Sequence, residues 1–186
     1  EADGMCAPVV DEICSRLGDV VYGTDMNSIE ERVVALLKEK GKKIATAESC
    51  TAGYIPKRLT DIPGASEVFE CGIVSYSNDM KTKLLGVSLK TLDTYGAVSE
   101  QTAREMALGA KRVSGADIAI STTGLAGPGG DGVLPGGLSF AAVTDGERTV
   151  VEKIVTGHEN DREYNRYVTA SRALNLVRLM LEEKIK

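Results

Sequence analysis

Apolar residues recur along this chain with two different periods, and the points where the period changes divide it into helices and strands. Val9, Ile13 and Leu17 stand four apart, so Pro8–Leu17 is predicted to form a short amphipathic helix that Gly18 stops. A polar stretch over residues 23–27 separates this helix from the next. Ser28, Ile29, Glu30 and Glu31 match the S-x-x-E capping box, in which two side chains satisfy orphan backbone donors, and open a helix reaching about Lys40. Residues 43–47 read as a strand. Residues 51–59 read as a helix in which Pro56 demands a kink or a late start. A strand over 69–76, short helices over 79–85 and 89–95, and a longer helix capped by Ser99 and ending near Val113 come next. Residues 118–122, 138–144 and 149–155 are β-rich, and Asp145-Gly146 between the last two is a hairpin signal. Residues 161–185 close the chain as a helix with Tyr164, Tyr167, Val168, Leu174 and Val177 at core spacing.

Strands alternating with helices, and a hairpin near the end, predict an α/β fold: a three-layer α/β/α sandwich around a mixed central sheet. The expected organisation is an N-terminal appendage with a short helix over residues 1–27 and one domain over 28–186. The chain begins at Glu1 and not at Met, so it is expected to be a piece of a longer protein.

Composition narrows the function. A net charge of −5 offers no broad basic face for nucleic acid. No apolar run is long enough to span a bilayer, and no secretory leader is recognisable, so a cytoplasmic protein without membrane contact is expected. Cys6, Cys14, Cys50 and Cys71 form no C-x-x-C pair and His158 is the lone histidine, so no metal site is expected and the cysteines read as free thiols.

The candidate chemistry gathers around Ser49, which follows a strand and precedes a helix, where its hydroxyl would lie beside free backbone N–H groups. A plain N-cap serine is the structural alternative. An alcohol needs a base to become a nucleophile, and without a nearby histidine the candidates are Lys81 and Tyr76. A lysine serves as base only when neutral, which burial can achieve. The alternative is a solvated Lys81 and a Tyr76 ring packed on a strand. Cys50 is the rival nucleophile, because a thiolate at a helix start needs no lysine. Residues 124–137 hold seven glycines and two prolines, enough to bring backbone close to a ligand, yet the stretch matches no nucleoside-triphosphate motif. Arg162 and Arg166 lie one turn apart and suit an anionic group, or else ion pairs with Glu159 or Glu163.

Several of these stretches together resemble the C-terminal domain family of CinA, the competence/damage-inducible protein. They are Ala47-Glu48-Ser49-Cys50-Thr51-Ala52-Gly53, residues 59–66, Tyr76-Ser77-Asn78 with Lys81, residues 85–87, Gly96-Ala97-Val98-Ser99, residues 123–128, and Asp161-Arg162 with Arg166. The resemblance implies hydrolysis of the carboxamide of nicotinamide mononucleotide to nicotinic acid mononucleotide and ammonia, without metal or cofactor. It implies Ser49 as nucleophile, Tyr76 and Lys81 as the activating pair, and Thr123 near the substrate or oxyanion. Glu48, Cys50, Thr51, Asn78, Gly124, Gly127 and Arg162 are the expected substrate contacts, with glycine-rich backbone and Arg162 facing the phosphate. It also implies that residues 1–27 are a connector segment ahead of a CinA C-terminal amidase domain over 28–186, a homodimer or larger assembly, and an N-terminal CinA domain in the full-length protein.

Three departures from the family pattern stand out. Ala52 replaces a usual glycine, Leu134 and Gly136 replace residues of a Lys-Pro-Val-Gly pattern around Pro135, and Asn160 replaces a glycine. They keep open an alternative: a weak or silent nucleotide-binding or assembly domain. Phosphate-ester chemistry is disfavoured, since no metal-binding carboxylate cluster is evident.

Overall fold

A computed structural model describes residues 2–185. Glu1 and Lys186, at the outer ends of the two expected units, lie outside the described residues. Five strands, β1 (Ile44–Glu48), β2 (Phe69–Val74), β3 (Ile118–Gly124), β4 (Leu138–Thr144) and β5 (Thr149–Val155), form one sheet in the order β2-β1-β3-β4-β5. β1 runs parallel to β2 and β3, whereas β4 and β5 are antiparallel additions joined by the expected hairpin, so the sheet is mixed.

The helices are α1 (Ala2–Leu17), α2 (Ile29–Glu39), α3 (Tyr54–Thr60), α4 (Asn78–Leu85), α5 (Leu89–Tyr95), α6 (Glu100–Ser114) and α7 (Arg162–Leu181). Strand alternation assigns them to two layers. Leu37 of α2, Ile55 and Leu59 of α3, and Leu174 and Val177 of α7 pack on Ile44, Ile118, Ile120 and Val143. On the other face Leu85 of α4, Leu92 of α5 and Met106 of α6 pack on Ala47 and Ala119. The expected three layers result, and burying each large aliphatic side chain contributes roughly 1.5–3 kcal/mol. The α4–α6 contact is so close that a Cβ on Gly109 would meet the Leu85 carbonyl oxygen at 2.1 Å.

Element boundaries differ from the sequence reading in instructive places. α1 begins at Ala2 and carries Pro8 inside it, and from Gly4 onward its residues are exposed apart from half-buried Cys14. Because Pro8 stands at the surface, water can satisfy the carbonyl that its missing N–H leaves free. The Ser28 box forms with a shift: Ser28 Oγ accepts from Glu31 N–H, but Glu31 reaches back to Asn27 N–H at 2.8 Å instead of Ser28. α3 starts late, at Tyr54, which puts Pro56 in the first turn where no intrahelical N–H is needed.

The expected core face of α7 needs correction. Tyr164 and Tyr167 are 42% and 50% exposed, while Asn165, Thr169, Ala170 and Ala173 are buried. Small residues let the helix lie close to the sheet, and the buried polar ones are satisfied: Thr169 bonds Ser139, and Asn165 donates to the carbonyls of Ala126 and His158. Arg58 stacks on the displaced Tyr167 ring at 5.0 Å.

Candidate active site

The chain turns back at the end of β1, the strand flanked by two parallel neighbours, and a crevice opens there as expected where the strand order changes direction. Glu48 is in register with Val74 and Thr122, so Ser49 emerges between the ends of β2 and β3. Ser49 N–H donates to the Thr122 carbonyl at 3.0 Å, and Ser75 N–H to the Glu48 carbonyl at 2.9 Å.

Ser77 caps α4 by accepting from Met80 N–H, and Lys81 is the fourth residue of that helix. Helical side chains lean toward the N-terminus, so the lysine amine reaches back over the first turn. Its Nζ lies 3.0 Å from Ser49 Oγ, and it donates to the carbonyls of Ser75 at 3.0 Å and Tyr76 at 3.3 Å. Lys81 is 1% exposed and Ser49 8%, and among the described residues no carboxylate pairs with the amine. Burial lowers the Lys81 pKa from its ordinary value.

Cys50 is also buried, but burial acts on a thiol in the opposite sense and pushes its pKa up to about 12. Helix α3 begins only at Tyr54, so the helix start expected to activate a Cys50 thiolate lies elsewhere. The reading of Cys50 as rival nucleophile loses both its supports.

A cavity of about 310 Å³ opens over the Ser49–Lys81 pair. Its walls are Cys50, Tyr76, Asn78, Ala97 and Val98, the segment from Thr123 to Gly130, and Arg162, so among the described residues no acidic side chain lines it. Tyr76 lies past the end of β2 and is 59% exposed. It meets Lys81 through its main-chain carbonyl and not through the phenol, which instead accepts from Arg162 at 3.1 Å. Arg162 also donates to the Gly127 carbonyl at 2.8 Å and thus spans the cavity mouth. Thr123 Oγ1 donates to the Ala97 carbonyl at 2.6 Å, keeping its lone pairs for a donor in the cavity. At Gly124 a Cβ would come within 2.4 Å of the Ser139 Cβ, so only glycine lets β3 pass β4 there.

Two expected substrate contacts face elsewhere. Glu48 is fully buried beneath α3, where it accepts from Ile55 N–H at 3.1 Å, and burial raises its pKa against the opposing hydrogen bonds. Thr51 is fully buried with its hydroxyl 2.6 Å from that of Thr122. Neither lines the cavity. Leu134 does not line it either. Gly136 is required by close packing, because a Cβ would lie 2.4 Å from the Gly129 carbonyl oxygen.

Residues that sequence reasoning did not single out also build the site. The Ser75 carbonyl holds Lys81, and a main-chain acceptor has no side-chain signature to read. Arg166, expected beside Arg162 to meet an anion, turns inward and donates to the Thr51 carbonyl at 2.7 Å. Among the described residues neither arginine forms an ion pair.

A larger hollow of about 800 Å³ lies between α2, α7 and the stretch after α1. Its lining serines are engaged, Ser28 with Glu31 N–H and Ser171 with Arg58, and its buried Glu30–Arg58 pair is internally satisfied. Among the described residues no group of His, Cys, Asp or Glu converges as a metal would need, and no helix is long and apolar enough to cross a membrane.

The family model of the CinA C-terminal domain matches residues 26–181. The chain belongs to this family. A CinA-like protein of Chloroherpeton thalassium is 47% identical over 180 residues, spanning 94% of this chain and 42% of that protein. One from Desulfovibrio desulfuricans is 44% identical over 179 residues, spanning 95% of this chain and 42% of that protein. The chain thus spans less than half the length of the curated relatives it matches. Among solved structures, the competence/damage inducible protein CihA of Agrobacterium tumefaciens superposes with a TM-score of 0.79 at 38% identity. That match covers 86% of this chain and 99% of the other. This CinA C-terminal domain therefore shares its whole α/β body with its relatives.

Proposed function

We propose that this CinA domain hydrolyses the carboxamide of nicotinamide mononucleotide, with Ser49 as nucleophile and Lys81 as its base. The observation that carries the reading is the buried Lys81 amine 3.0 Å from Ser49 Oγ, with two main-chain carbonyls taking its other bonds. A neutral amine has two hydrogens, which the Ser75 and Tyr76 carbonyls accept. Its lone pair then faces the Ser49 hydroxyl, and burial favours that neutral form.

Ser49 Oγ attacks the carboxamide carbon while its proton passes to Lys81. The carbon–nitrogen bond breaks, Lys81 returns the proton to the leaving nitrogen, and ammonia departs from a Ser49 ester. Water, deprotonated by Lys81, attacks the ester carbonyl and releases the carboxylate product with Ser49 reprotonated. The main-chain N–H of Cys50, next to the nucleophile, is the assigned donor to the anionic oxygen. Thr123 Oγ1, fixed as a donor by Ala97, accepts from the amide nitrogen.

Cavity size and charge support the substrate class. About 310 Å³ lies at the small end of ligand pockets and suits a mononucleotide. The Arg162 guanidinium in the wall, with no acidic side chain lining the cavity among the described residues, suits a phosphate. The test is ammonia release from nicotinamide mononucleotide by purified protein. Release that Ser49→Ala and Lys81→Ala each abolish supports the reading. Intact binding without release would instead mark a mononucleotide-binding module.

A further inference from the structure

The segment carrying Ser49 does not enter a helix directly. The chain bends at Ser49 and turns over residues 50–53, and Ala52 and Gly53 both have left-handed backbone, with φ of 49° and 86°. For alanine that conformation is unfavourable, so the turn needs external ties to hold it. From the sheet it is held by Ser49 N–H on the Thr122 carbonyl and by the Thr51–Thr122 hydroxyl pair. From the helical layer it is held by Arg166, whose guanidinium donates to the Thr51 carbonyl at 2.7 Å across 115 positions of sequence.

The guanidinium is itself held. It lies 5.5 Å from the Tyr54 ring centroid, and Arg58 lies 5.8 Å from the same ring. Arg166 Nε is buried with no partner, a cost the side chain sustains while its terminal nitrogen reaches Thr51. Arg166 lines no part of the cavity, unlike Arg162 one turn earlier, so any effect it has on chemistry passes through the loop.

We infer that Arg166 is a positioning residue for the proposed amide hydrolysis, fixing the Thr51 carbonyl so that Ser49 stays aligned with Lys81. The inference rests on the reading of Ser49 as nucleophile. A small displacement of a reacting atom costs up to about 100-fold in rate. Arg162, at the cavity wall, acts on substrate affinity instead.

The experiment compares Arg166→Gln, Arg166→Lys, Arg162→Gln and Ser49→Ala, each checked for folding by circular dichroism, in steady-state ammonia release from nicotinamide mononucleotide. Calorimetry with nicotinic acid mononucleotide gives binding separately. Arg166→Gln is expected to lower kcat about 10- to 100-fold with KM and product Kd within about twofold. Arg166→Lys should recover part of that loss, and Arg162→Gln should mainly raise KM. If Arg166→Gln does not fold, the lysine variant carries the test with a smaller fall in kcat. Unchanged kcat in a folded Arg166 variant, or a rise in KM alone, overturns the inference. Ammonia release retained by Ser49→Ala overturns the nucleophile reading and this inference together. A silent Ser49→Ala beside fully active Arg166 variants overturns this inference alone.

Discussion

Lys81 and Ser49, 32 positions apart in the chain, meet at 3.0 Å in a buried corner where β1 ends and α4 begins. Neither is hydrogen-bonded to a carboxylate or imidazole among the described residues, so in the proposed mechanism the amine's protonation state governs the reactivity of the hydroxyl. Burial lowers the lysine pKa from 10.5, which makes its neutral form accessible at lower pH.

A pH dependence is the direct consequence. The proposed hydrolysis needs the neutral amine, so kcat/KM should rise with pH and level off above an inflection lying below 10.5. Stability should move the same way. With the folded pKa below the unfolded one, the unfolded chain binds more protons between the two values, and stability rises with pH across that window. Urea titrations of wild type and Lys81→Met should show wild type gaining on the variant as pH increases toward 10.5. A gap that is independent of pH would mean the amine is not perturbed.

Ala52 holds a φ of 49°, a conformation in which glycine is at ease and alanine is not. Ala52→Gly removes a cost of roughly 1–2 kcal/mol while adding part of glycine's chain entropy, for a net gain of about 0.5–1 kcal/mol. Thermal denaturation should show a higher Tm, with ammonia release equal to or above wild type. A lower Tm would show that the turn is not strained.

How much of this was open to sequence reasoning varies with the kind of signal. The α/β alternation, the hairpin at Asp145-Gly146 and the Ser99 cap are local signals, and each element forms where its pattern lies. Adjacency along the chain is a poorer guide. Glu48 and Thr51 flank the serine motif, yet strand alternation and the loop's turn send both side chains into the interior. Similarly, helical spacing groups Arg162 with Arg166, but one spans the cavity mouth and the other braces the Ser49 turn. Main-chain partners such as the Ser75 carbonyl are invisible until the fold places them. The resemblance to a family drew attention to these segments, and the geometry separates the side chains that line the cavity from those that turn inward.

Cys50 offers a check on the rival nucleophile. With its thiol pKa near 12 and its side chain buried, it should resist alkylation at pH 8 in the native protein while exposed Cys6 reacts quickly. Cys50→Ser should keep ammonia release within a few-fold of wild type. Rapid native labelling of Cys50, read by peptide mass, would reverse the assignment.

The Arg58–Glu30 pair carries a stability prediction away from the Ser49–Lys81 corner. Both side chains are nearly buried, at 8% and 11% exposure, and Arg58 also donates to Ser171. Arg58→Met strands the Glu30 carboxylate and should cost about 3 kcal/mol, whereas adding Glu30→Met should recover most of the loss. Urea denaturation of the single and double variants measures the coupling. A double variant as unstable as the single would assign the cost to packing around Tyr54 and Tyr167.

The most direct test traps the covalent step. Wild-type protein mixed with nicotinamide mononucleotide, acid-quenched within milliseconds and digested, should yield a peptide carrying the acyl group of nicotinic acid mononucleotide on Ser49. Its amount should fall below detection in Lys81→Ala. An adduct on Cys50, or ammonia release at full rate from Ser49→Ala, would contradict the account.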